Sequence, residues 1–176
     1  MAATARLVNQ NLPKTMDAKS LNRLLPHGKH DAKAARALVA LGYPTVGPVL
    51  PHMLDWLKSS GSPVELVMRE FFASLGVDAV PAVQKALVSR HEGLKYSVVM
   101  YVVARWPIEA IEPLKAQLQA LATGSGFYGT DLIALRLLVK HQLADPDWLR
   151  EWAEFKTKRL RELLSQAHDI EGLLAK

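Results

Sequence analysis

Two histidines and a carboxylate fall close together near the start of the sequence: His27, His30 and Asp31. Imidazole and carboxylate groups bind zinc and other divalent ions, and an i, i+3 pair on a helix could converge on one ion. The chain between them argues otherwise. Pro26-His27-Gly28 reads as a turn, and Asp31 is of the type that caps a helix start. Lys29, His30 and Asp31 are therefore read as structural, docking the leading segment on the first helix pair, and no metal is assigned. Lys95 and Tyr96 open a strongly apolar stretch. A buried lysine either finds a carboxylate or loses its proton, and a lysine of lowered pKa can be catalytic. The expected reading is an ion pair, with Asp55, Asp31 or Glu65 as the partner.

Other chemistries lack their residues. The sequence has no cysteine, which excludes a thiolate zinc site, a cysteine nucleophile and a disulfide framework. Gly124-Ser125-Gly126 has neither the preceding strand nor the lysine of a phosphate-binding loop. No Gly-x-Ser-x-Gly or His-Glu-x-x-His occurs. The expectation is a protein that is not an enzyme and uses no cofactor. The longest mostly apolar run, residues 97–104, stops at Arg105. A membrane span needs about 20 such residues. The first ten residues carry one arginine and no apolar stretch, unlike a signal peptide. A cytoplasmic protein without membrane contact is expected.

The net charge of +5 is confined to one end. Residues 1–36 hold seven basic and two acidic side chains, while the remaining residues hold 15 of each. A dedicated nucleic-acid binder should carry its charge along the body, so nucleic acid is an unfavoured partner.

A succession of helices must position these groups. Asp31 should cap a helix over 32–41, closed by Gly42. The next begins between Pro44 and Pro51, with Leu50, Met53, Leu54 and Leu57 as its apolar stripe. Ser62 and Pro63 start a helix over 64–75, with Leu66, Val67, Phe71 and Leu75 inward. Asp78 should cap 79–88, and helices over 94–106, 108–121, 130–142 and 145–167 follow. Residues 97–103 are rich in β-branched side chains, but their apolar spacing is helical and no second strand exists to pair with them. Pro51, Pro81 and Pro113 are 30 and 32 residues apart, each early in the second helix of a pair. That period is typical of helical solenoids. The predicted fold is all-α, an α-α superhelix of HEAT-like antiparallel helix pairs over residues 21–176, preceded by a basic arm over 1–20. Trp148, Leu149, Trp152 and Phe155 should cap the stack from the last helix. Lys156, Lys158, Arg159 and Arg161 alternate with Glu151, Glu154 and Glu162 as a solvated face.

Three stretches carry a resemblance: Leu24 to Asp31 (Leu-Leu-Pro-His-Gly-Lys-His-Asp), Val49 to Leu57 around Trp56 (Val-Leu-Pro-His-Met-Leu-Asp-Trp-Leu), and Leu94-Lys95-Tyr96. Together they resemble a bacterial family known as an uncharacterised domain with HEAT-like repeats. The likeness covers about residues 20–107 and implies an α-α superhelix, with no activity attached. In that family an Asn-Trp-Pro turn stands where this chain has Ser60-Gly61-Ser62-Pro63, and a tryptophan stands at Leu94.

Stacked helix pairs offer a long concave surface suited to another macromolecule. A protein-binding module is therefore expected. Its concrete version is an immunity protein that neutralises a toxin or effector, by analogy with other small helical-repeat proteins. A DNA-glycosylase-like nucleic-acid binder and a small metal-dependent enzyme are the alternatives. The second helix of each pair should line the concave side, presenting His52, Asp55, Gln84, Lys85, Glu112, Lys115 and Gln119. Their mixed charge suits a protein surface better than a phosphate backbone. Lys29, His30, Asp31, Trp56, Lys95 and Tyr96 are motif residues read as structural.

Overall fold

A computed structural model of the chain describes residues 16–59 and 61–174. Residues 1–15, which make up most of the expected arm, lie outside the described residues. The α-helices are α1 (Ala18–Asn22), α2 (Ala32–Val39), α3 (Leu50–Leu54), α4 (Pro63–Leu75), α5 (Val80–Leu87), α6 (Glu92–Tyr101), α7 (Ile108–Ile111), α8 (Lys115–Thr123), α9 (Thr130–Lys140) and α10 (Pro146–Leu174). The described residues contain no strand, and the fold is all-α.

Side chains fix several helix starts. The Asp17 carboxylate accepts the Ser20 N–H at 2.8 Å, which starts α1 inside the stretch expected to be an arm. Asp31 accepts the Ala34 N–H at 3.1 Å and, through its other oxygen, the His27 N–H at 3.3 Å. One carboxylate thus closes the turn and begins α2. Ser62 accepts the Glu65 N–H at 3.1 Å, with Pro63 at the first position of α4. His91 Nδ1 accepts the Leu94 N–H at 3.1 Å.

α3, α5 and α8 begin differently. A short 3₁₀ turn leads into each of them: Gly47–Val49, Gly76–Ala79 and Glu112–Leu114. Asp78 lies inside the second of these turns and does not cap α5, contrary to expectation; no side chain caps that helix. The single helix expected over 108–121 is also corrected, because it divides into α7, the Glu112–Leu114 turn and α8. Pro113 has no N–H to donate backward, so the α-ladder is interrupted where it stands. The β-branched stretch is helical as expected, and Val98, Val99, Val102 and Val103 are wholly buried.

Neighbour contacts sort the helices into two layers. α2 packs on α4, α4 on α6, and α6 on α9. In the other layer α3 packs on α5, and α5 on the turn that leads into α8. Bonds within each layer join residues about one proline spacing apart. Trp106 Nε1–H donates to the Phe72 carbonyl at 3.0 Å, Arg105 pairs with Glu70 at 2.7 Å, and Gln84 donates to the Pro113 carbonyl at 3.1 Å.

The core between the layers includes Leu38, Met53, Met68, Phe72, Ile111 and Leu138, each fully buried. Burial of such a side chain is worth about 1.5–3 kcal/mol. On α4 the inward face differs from the expected one. Val64, Met68 and Phe72 are buried, Val67, Phe71 and Leu75 are half-buried, and Leu66 is exposed. α4 has neighbours on several sides, so apolar residues surround much of it and period alone does not select one face. Glu65 occupies a core position on the buried side.

α10 is longer than expected, at 29 residues. Trp148, Leu149, Trp152 and Ala153 pack on the core, while Phe155 is exposed. Lys156, expected on a solvated face, is buried instead. Its ammonium pairs with Asp131 of α9 at 2.6 Å and donates to the Gly124 carbonyl.

Candidate functional site

Tyr96 and Tyr101 project from one flank of α6, with ring centroids 5.9 Å apart and planes nearly perpendicular. Interaction with the neighbouring Tyr101 hydroxyl, helped by some desolvation, raises the Tyr96 pKa above the ordinary phenol value. The Arg69 guanidinium of α4 lies 4.8 Å from the Tyr101 ring centroid, within cation–π range. Tyr128 arrives from the loop between α8 and α9 and packs against Tyr96 at 5.7 Å.

That loop is held by unusual local geometry. Gly126 approaches α9 so closely that a Cβ there would lie 2.5 Å from the Asp131 amide nitrogen. Tyr128 itself adopts φ 58°, in the left-handed region. Lys156 reaches both the loop, at Gly124, and its anchor Asp131. The ion pair between α9 and α10 thus ties α10 to the loop that carries Tyr128.

Together these tyrosines line a cleft of about 580 Å3, whose rim carries Lys58, His91 and Glu92. A second cleft, of about 500 Å3, lies between α3 and α5 and shares Lys58 and His91 with the first. Its wall holds His52, Asp55, Lys85 and Arg90. The two clefts adjoin at Lys58 and His91, making one recessed surface that is aromatic at the α6 end and mixed in charge at the α3–α5 end.

The structure gathers His52, Asp55 and Lys85 from the expected set, and adds Tyr96 at the other end. Gln84 is engaged instead with the Pro113 carbonyl, tying α5 to the turn before α8. Glu112 and Lys115 are exposed and Gln119 is half-buried, and none of these lines either cleft. Trp56 is half-buried against the core. Lys95 does pair with a carboxylate, but with Glu92 at 2.7 Å rather than with Asp55, Asp31 or Glu65. The i, i+3 spacing on a single helix makes Glu92 the nearer acid. The Lys29 carbonyl accepts the Val64 N–H at 3.2 Å, which fastens the Lys29-His30-Asp31 segment to the start of α4. Among the described residues no group of three or more His, Asp or Glu side chains is placed to hold a metal ion.

Sequence reasoning passed over Tyr101, Tyr128, Lys58 and His91 as site residues. One signal was available: three of the four tyrosines lie at positions 96, 101 and 128. Glu65, read in the sequence only as a possible partner for Lys95, has 1% of its surface exposed and both carboxylate oxygens without a hydrogen-bond partner. Burial raises its pKa, an effect that the Arg69 guanidinium 3.9 Å away partly opposes.

No curated protein matches the chain. A family model described as a domain of unknown function (DUF5071) matches residues 24–126. The matched region takes in α2 to α8 and every cleft residue named above except Tyr128. Over half its length, from the opening Leu-Pro motif through the two-layered helices that carry the cleft, the chain belongs to this DUF5071 family.

Proposed function

We propose that the chain is a protein-binding module of the HEAT-like superhelical kind, and that its docking surface is the concavity formed by the two clefts. The observation that carries this reading is the tyrosine cluster with its stacked arginine. Tyr96, Tyr101 and Tyr128 present large, stiff, amphipathic surfaces at small conformational cost, and Arg69 is held against them. Tyrosine and arginine are the residue types that dominate binding energy at protein interfaces. Lys58, His91, Lys85 and Arg90 beside Asp55 and Glu92 supply a polar rim of both signs, which favours a folded protein over a polyanion. Neutralisation of a toxin or effector is the concrete form of this proposal, since such a role needs a rigid complementary surface and no chemistry.

The test has two parts. Affinity capture from the native cell, with wild-type chain and a Tyr96→Ala/Tyr101→Ala variant in parallel, should yield a protein retained by the first and lost by the second. A Gln119→Ala variant, outside the clefts, should retain it. Coproduction of the chain with the captured protein should then relieve any growth defect the latter causes. A partner that binds the double variant as well as wild type overturns the site. Capture of nucleic acid by the wild-type concavity overturns the partner class.

A further inference from the structure

The apolar face that α10 lays on the body does not stop where the body stops. Leu149 and Ala153 pack on the core, and Lys156 reaches the start of α9. The same face continues as Leu160, Leu163, Ala167, Ile170 and Leu174, with steps of three and four residues in strict alternation. This is the a/d spacing of a coiled-coil seam. Leu164 and Leu173 widen the seam. Every described residue from Thr157 to Leu174 is exposed, over about 27 Å of helix at 1.5 Å per residue. The six leucine and isoleucine residues among them are 46–83% exposed. That is on the order of several hundred Å2 of contiguous apolar surface, which a protein acting alone rarely leaves in water.

We infer that this segment pairs with the same segment of a second copy of the chain, in antiparallel orientation. Charge supports the occupant and its direction. Lys158, Arg159 and Arg161 stand at the start of the exposed segment, against Glu162 alone, while Asp169 and Glu171 stand near its end. An antiparallel pair centred between Leu163 and Ala167 brings Arg159 and Arg161 level with the acidic end of the second helix. A parallel pair instead brings the two basic ends together and the two acidic ends together, a repulsion between exposed charges that salt screens. Packing volume supports the same direction. The antiparallel register sets Leu163 over alanine and Leu160 over isoleucine, so every layer has at least one large side chain. The parallel register sets Ala167 over itself and leaves a thin layer. The groove between α9 and α10, lined by Leu132, Leu135 and Leu160, continues the seam and receives the end of the second helix.

The test uses the full chain in sedimentation velocity across the micromolar range. A dimer is expected. Leu163→Glu combined with Ile170→Lys should give a monomer whose body still melts cooperatively, because both side chains are exposed and neither belongs to the core. Arg159→Glu with Arg161→Glu should weaken the dimer, most at low salt, and adding Asp169→Lys with Glu171→Lys should restore it. Orientation is read by cross-linking, since the chain has no cysteine of its own. Leu163→Cys and Ala167→Cys chains should form a disulfide when mixed and little when oxidised separately. A monomer at all concentrations overturns the inference, including one that instead binds lipid vesicles. Self-cross-linking of Leu163→Cys alone overturns the antiparallel arrangement.

Discussion

Lys156 of α10 and Asp131 of α9 form an ion pair at 2.6 Å with only 10% and 12% of their side-chain surfaces exposed. Removing one partner from such a pair leaves a charge stranded in a poorly solvated site, at a cost of about 3–5 kcal/mol. Asp131→Ala and Lys156→Met should each destabilise the chain on that scale. The double variant Asp131→Ala/Lys156→Met, which removes both charges, should cost less than the sum of the two single changes. Urea unfolding of the four proteins measures this directly, and additive costs would show that the two groups do not act together.

Glu65 gives the fold a pH dependence opposite in sign to that of the capping carboxylates. Its folded pKa lies above the unfolded value, so between the two the folded chain binds more protons. Stability from this group is therefore fully present below the unfolded value, about 4.3, and is lost as pH rises through the folded one. Asp31 behaves in reverse. The Ala34 and His27 N–H groups hold its pKa down, so its contribution is present above the ordinary aspartate value and is lost as pH falls through the lowered one. Glu65→Gln should gain on wild type as pH is raised from about 4 toward neutrality. Asp31→Asn should show its largest loss at neutral pH and converge on wild type in acid. Denaturant midpoints across that range decide both signs.

Trp106 donates its buried indole N–H to the Phe72 carbonyl, a bond between segments 34 residues apart. Trp106→Phe keeps most of the ring and removes the donor, leaving a buried carbonyl without a partner at a cost of about 1–3 kcal/mol. Arg105→Ala, one residue earlier, breaks an exposed pair with Glu70 and should change stability little. Thermal melts of the two variants should differ clearly. Equal melts would mean that the indole bond carries no weight.

The helices were legible because their signals are local. Asp31, Ser62 and Gly42 announce starts and stops through groups within a few residues, and the prolines mark the period of the bonds joining Phe72 to Trp106 and Gln84 to Pro113. Which face of α4 is buried was not legible, because α4 has neighbours on several sides and Glu65 interrupts the apolar pattern. The α3–α5 half of the concavity was legible through His52, Asp55 and Lys85, whose helical spacing places them on one side. The tyrosine half was not. Tyr128 meets Tyr96 from a loop in which Gly126 crowds α9 and Lys156 bonds to Gly124 and Asp131, and the Lys156 bonds join residues 25 and 32 positions apart. Lys156 itself looks solvated in sequence because glutamates and other basic residues surround it there.

Tyr128 is held at φ 58°, where a residue other than glycine pays about 1–2 kcal/mol. Its ring against Tyr96 returns about 0.5–1.5 kcal/mol. Tyr128→Gly removes both the strain and the ring contact, so its cost is offset in part by relief of the strain. Tyr128→Ala keeps the strained backbone and loses the ring, so it should be the less stable variant. If Tyr128 belongs to the docking surface, glycine and alanine should weaken partner binding alike, by about tenfold or more, despite their different stabilities. Unfolding and binding titrations on the same three proteins separate these effects. Equal stability of the two variants would remove the claim of strain. Undiminished binding by both would move the docking surface away from the tyrosine cluster.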